Sequence, residues 1–123
     1  MGFSPVPSPI SASWYRSCEL TSVRYESGSV VIDLQDEDGR RWRLTFTRTQ
    51  ASRVTTEECA VETIAQLPKS GGLFATDESE WLDRLGKGQV HFLEKSRHFV
   101  LPCYDEVVEV VALDFSVEVP HDG

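Results

Sequence analysis

The chain predicts an α+β fold: an antiparallel sheet of about five or six strands, a meander plus a C-terminal hairpin, with one or two short helices packed on one face. Three observations predict it. Val30, Ile32, Leu34 and then Trp42, Leu44, Phe46 alternate with residues that are polar except for Val31, on either side of Asp36-Glu37-Asp38-Gly39-Arg40, which is the pattern of two half-buried strands and a turn. From Val107 to Val119 every odd position is apolar except Glu109. Between them, Asp77-Glu78-Ser79-Glu80 opens a run of helix formers that stops at Gly86.

The 123 residues suffice for one domain with a core that needs neither disulfide nor metal. Residues 1–13 carry Pro5, Pro7 and Pro9 among serines and read as a flexible lead-in of polyproline character. The globular domain is expected over 14–119, starting at Trp14 and Tyr15, with 120–123 as a tail. The N-terminus lacks the basic and apolar regions of a secretory signal, and no run is long enough to span a membrane.

Cys18 to Tyr25 reads as the first strand, turning through Ser27-Gly28 so that Tyr25 faces Val30 and Val23 faces Ile32. The next hairpin has two possible registers. A two-residue Asp38-Gly39 loop pairs Leu34 with Arg43 and splits the apolar sets between faces. A three-residue loop through Glu37-Asp38-Gly39, with Gly39 left-handed, pairs Leu34 with Trp42 and sets Asp33 opposite Arg43. The second is the expected one.

Glu57 to Leu67 carries helix formers with Cys59, Ala60, Ile64 and Leu67 near helical spacing, and Pro68 and Gly71-Gly72 end it. Asp77 is the expected cap of the next helix, with Glu80 reaching back and Trp81 docking it on the core. Val90 to Leu93 reads as a short strand or lead-in. Arg97 to Tyr104 and Val107 to Val119 form the last hairpin, bent at Asp105. Both of its faces are apolar near the bend, so alternation leaves its register open.

Val107, Glu109, Val111, Leu113, Phe115, Val117 and Val119 share one parity. Glu109 therefore falls on an apolar face, where a carboxylate needs a cation, a proton or a bulge that returns it to water. Arg97 and His98 are the nearest cations along the chain, and with Glu109 they make a candidate buried polar site.

No catalytic set is legible. The chain holds no serine-hydrolase elbow and no phosphate loop, and its three histidines and three cysteines lack ligand or redox spacing, so no metal and no cofactor is expected. Cys18, Cys59 and Cys103 are expected to be small buried thiols. Cys103 and His98 are five residues apart and face opposite sides of a strand.

The net charge of −8 and pI of about 4.8 disfavour nucleic acid and anionic lipid as partners and permit a basic protein partner. Two acidic clusters would form the capturing surface: Asp36, Glu37 and Asp38 at the hairpin turn, and Asp77, Glu78, Glu80 and Asp83 at the helix start.

The stretch His98-Phe99-Val100, then Tyr104 to Ala112, following Ser79-Glu80-Trp81-Leu82, resembles the C-terminal part of small uncharacterised bacterial proteins. Some of these are similar to immunity proteins encoded beside polymorphic or contact-dependent toxins. The resemblance spans the last third to half of the chain and implies a cytoplasmic binding protein without cofactor. It transfers no residue's role.

The leading expectation is a non-enzymatic protein-binding module of bacterial type, with an immunity or inhibitor protein for a toxin as its specific form. A small enzyme or ligand-binding domain with a pocket around Glu109 and His98 is the second. A subunit that assembles through a sheet edge is the third.

Overall fold

The computed structural model describes residues 2–10 and 16–120. The expected domain start at Trp14 and Tyr15, and most of the tail, lie outside them. Among the described residues are nine strands: β1 (Ser4–Pro5), β2 (Glu19–Glu26), β3 (Ser29–Gln35), β4 (Arg41–Thr47), β5 (Ala51–Thr56), β6 (Phe74–Thr76), β7 (Arg97–Pro102), β8 (Glu106–Ala112) and β9 (Asp114–Glu118). Two short helices, α1 (Val61–Ala65) and α2 (Glu80–Leu85), complete an α+β fold.

The strands form two antiparallel sheets rather than the one expected. One sheet has the order β2-β3-β4-β9, the other β1-β6-β7-β8-β5. Val30, Ile32, Leu34, Trp42, Leu44 and Phe46 from the first meet Phe99, Leu101, Val108 and Val110 from the second in one apolar layer. The Phe46 and Phe99 rings lie 5.2 Å apart across it. The helices cover the outer face of the five-stranded sheet. Ala60, Ile64 and Leu67 pack on Phe74, Val100 and Val107, while Leu82, Leu85 and Leu93 pack around Val111.

Both N-terminal hairpins have the expected register. Tyr25 faces Val30 and Val23 faces Ile32. Ser27 and Gly28 both have positive φ, as a two-residue turn of this hand requires. Leu34 faces Trp42 and Asp33 faces Arg43. The Asp36 amide donates to the Arg40 carbonyl at 2.9 Å, enclosing Glu37-Asp38-Gly39, and Gly39 has φ +83°.

Several elements differ from expectation. Residues 2–10 belong to the fold instead of forming a flexible lead-in, because they carry apolar anchors among the prolines. Phe3 and Ile10 are buried, and Ser4 and Pro5 pair with Ala75 and Phe74. The segment 57–67 is broken at Ala60 into a 3-10 turn (Glu57–Cys59) and α1, and Cys59 is exposed rather than buried. Residues His91–Leu93 make a 3-10 turn, not a strand.

The last stretch is two strands. β8 lies between β7 and β5, then the chain turns at Leu113 and β9 joins β4 in the other sheet. Phe115 and Val117 thus pack on the layer between the sheets, while Val107 and Val111 face the helices. The shared parity of residues 107–119 is therefore not a shared face.

Candidate functional site

Glu109 sits on β8 where the outer face is covered by neither helix completely. Val107 on one side belongs to the α1 cluster and Val111 on the other to the α2 cluster. Strand register then decides its partners. Arg53 on β5 lies directly opposite Glu109. On the other flank Val100 is opposite, and His98 is the diagonal neighbour on the same face.

Glu109 is only 2% exposed, yet it is fully partnered. Arg53 Nε donates to Oε2 at 2.8 Å and Nη2 to Oε1 at 3.1 Å, a bidentate grip. His98 Nε2 lies 2.8 Å from Oε1. Burial pushes the Glu109 carboxyl up, but the hydrogen bonds from His98 and Arg53 outweigh it and hold it below the usual range. The carboxylate is thus an acceptor only, and His98 Nε2 must carry a hydrogen.

The other ring nitrogen continues the chain of contacts. His98 Nδ1 lies 2.9 Å from Ser79 Oγ. Whenever the imidazole is neutral, Nδ1 is the acceptor for the Ser79 hydroxyl hydrogen. Ser79 is also the N-cap of α2, and its Oγ accepts from the Leu82 amide at 3.1 Å. The His98 ring stands edge-on to Phe3 and Trp81, with centroids 5.1 and 5.0 Å away. Arg53 lies over the Trp81 ring at 4.1 Å, so the same guanidinium serves the carboxylate and the indole.

These groups form the floor of a cleft of about 380 Å3, with Glu62 and Thr63 of α1 on one wall and Glu78, Ser79 and Arg84 on the other. The Glu62 and Glu78 carboxylates make no ion pair among the described residues.

Of the expected polar site, His98 and Glu109 meet and Arg97 does not join them. Arg97 has the opposite parity on β7, so it pairs with Asp77 at 3.2 Å and lies over Phe99. The cation that fills its place, Arg53, was hidden in a stretch with no clear alternation. Ser79 was hidden behind Asp77, the expected cap; Ser79 caps α2 instead, and Glu80 pairs forward with Arg84 rather than reaching back.

The acidic clusters are partly committed within the chain. Asp36 accepts from the Trp42 indole and from the Arg40 and Asp38 amides, which together outweigh burial and hold its carboxyl low. Asp77 and Glu80 are ion-paired. Glu78 and Asp83 are exposed near α2, and Asp38 is exposed at the hairpin turn. Cys103 faces the layer between the sheets, away from His98. Burial, with smaller contributions from Asp36 and Glu37, pushes the Cys18 thiol up to about 12. Among the described residues no three metal-ligating side chains converge.

Comparison with protein-family models, with curated proteins and with solved structures finds no match to this chain. No helix among the described residues is long and apolar enough to cross a membrane.

Proposed function

We propose that the chain is a cytoplasmic protein-binding module of bacterial type, an immunity or inhibitor protein, and that its partner presents a basic surface to the cleft between α1 and α2. The observation that supports this reading is the pair Glu62 and Glu78. They flank the cleft without an ion pair among the described residues, whereas Glu80, Glu109 and Asp77 are each matched by an arginine. The unmatched charge there has the sign of the whole chain, −8, and opposite fields accelerate encounter. The hairpin cluster Asp36-Glu37-Asp38 is secondary in this reading, because Asp36 is spent inside its own turn.

The test begins with affinity capture from the source cell and mass spectrometry. Association of the captured protein is then followed against salt for the native chain and for the double variant Glu62→Lys/Glu78→Lys. Association should slow as salt rises, and the variant should associate about tenfold more slowly or worse at low salt with little change in dissociation. An association rate indifferent to salt and to the charge reversal overturns the reading.

A further inference from the structure

We propose that Ser79 is an activated nucleophile and that the cleft hydrolyses small carboxylic esters through Ser79, His98 and Glu109. The proposal goes beyond partner binding and stands or falls independently of it.

A serine that only caps a helix needs one acceptor oxygen for one amide, and Ser79 already meets that need through Leu82. Its hydroxyl is used a second time, on a histidine whose far nitrogen is held by a buried carboxylate. The three side chains come from three elements: the residue before α2, β7 and β8. The contacts run in one line, 2.9 Å from Ser79 Oγ to Nδ1 and 2.8 Å from Nε2 to Glu109 Oε1. His98 and Glu109 are buried, while Ser79 is half-buried and lines the cleft. All three line the cleft, and Ser79 is the most exposed of them. Nucleophile, base and orienting acid in contact are the recognisable elements of hydroxyl activation, whatever their order in the chain. The ring is used in the reverse sense to the familiar serine proteases, with Nδ1 toward the hydroxyl and Nε2 toward the carboxylate.

The chemistry balances. Ser79 Oγ attacks the ester carbonyl carbon as His98 Nδ1 takes the hydroxyl proton. The imidazolium that forms is stabilised by Glu109, whose ionised state Arg53 and His98 maintain. Collapse of the tetrahedral species breaks the bond to the leaving alkoxide, which takes the proton back from Nδ1 and departs as the alcohol. Water then attacks the acyl-serine with His98 again as base, releasing the carboxylic acid and restoring Ser79. The net reaction is ester plus water to acid plus alcohol. The cleft of about 380 Å3 suits a small acyl group.

The test is labelling of the full chain with a fluorophosphonate probe, located by peptide mass spectrometry, beside release of p-nitrophenol from p-nitrophenyl acetate. The native chain should be labelled at Ser79 and should release p-nitrophenol in a burst. Ser79→Asn keeps a capping oxygen for the Leu82 amide, so it should melt like the native chain and take no label. His98→Gln should slow labelling by about 10²-fold or more. A folded native chain that takes no label at Ser79 overturns the proposal and leaves Ser79 a helix cap alone. Labelling undiminished in a folded His98→Gln chain overturns it as well.

Discussion

Arg53 and Glu109, 56 residues apart in sequence, face each other across β5 and β8 and share two hydrogen bonds of 2.8 and 3.1 Å. The carboxylate is buried and the guanidinium partly exposed, so the pair draws charge to the edge of the core without stranding it there. An ion pair of this kind is expensive to break from one side, because the buried member is left short of a partner.

Arg53→Met and Glu109→Gln should therefore each destabilise the fold, by about 2–3 kcal/mol, the lower figure applying to Arg53 because His98 still serves the carboxylate. The double variant should lose less than the sum, by about 1 kcal/mol or more. Urea denaturation of the four proteins measures this. Additive losses would mean that the two side chains do not stabilise one another.

Acid should weaken the fold through Asp33. A hydrogen bond from Arg43, with further bonds from Arg24 and Ser22, outweighs partial burial and lowers its carboxyl from 3.8 to about 2. The folded state thus binds fewer protons than the unfolded chain in that interval. The contribution is present above the unfolded value near 3.8 and is lost as pH falls through the folded value of about 2. Glu109, also held low, acts in the same sense. Denaturation midpoints should fall between pH about 4 and about 2, and Asp33→Asn should flatten that fall. An equally steep decline in the variant would assign the acid sensitivity to other groups.

Leu82, not Trp81, should prove to be the anchor of α2. Leu82 is fully buried against Val111 and Leu93, whereas the Trp81 ring is half-buried beneath Arg53. Leu82→Ala should cost about 3 kcal/mol, and Trp81→Ala about 1–2 kcal/mol. Chemical denaturation distinguishes them, and a larger loss at Trp81 would reverse the assignment.

The parts of the fold legible in sequence are those whose turn chemistry and alternation agree. Gly39 and the six apolar residues flanking its turn leave one sensible register, and Ser27-Gly28 leaves one for its neighbour. β5 is different: Arg53 and Val54 are exposed at a sheet edge, so burial imposes no period on them. Half of the Glu109 site was hidden for that reason. His98 could be named from its strand, but Arg53 becomes a partner only once β5 is known to flank β8. The turn at Leu113 was invisible because alternation resumes beyond it with the same parity. In space, the inward side chains step from Ala112 to Phe115. Asp77 and Ser79 competed for one cap, and sequence offered no means of choosing between Asp77's ion pair with Arg97 and a capping role.

The turn at Leu113 also sets an order of events for a chain leaving the ribosome. β2, β3 and β4 pair with near neighbours and emerge together. The strand that completes their sheet follows much later: Thr47, at the end of β4, and Asp114, at the start of β9, are 67 residues apart. Throughout that interval β4 presents an unpaired edge, with Leu44 and Phe46 lacking the Val117 and Phe115 that face them in the finished sheet. Such an edge is a template for another nascent chain. β4 is therefore the edge at which a chain truncated before residue 114 is expected to mispair.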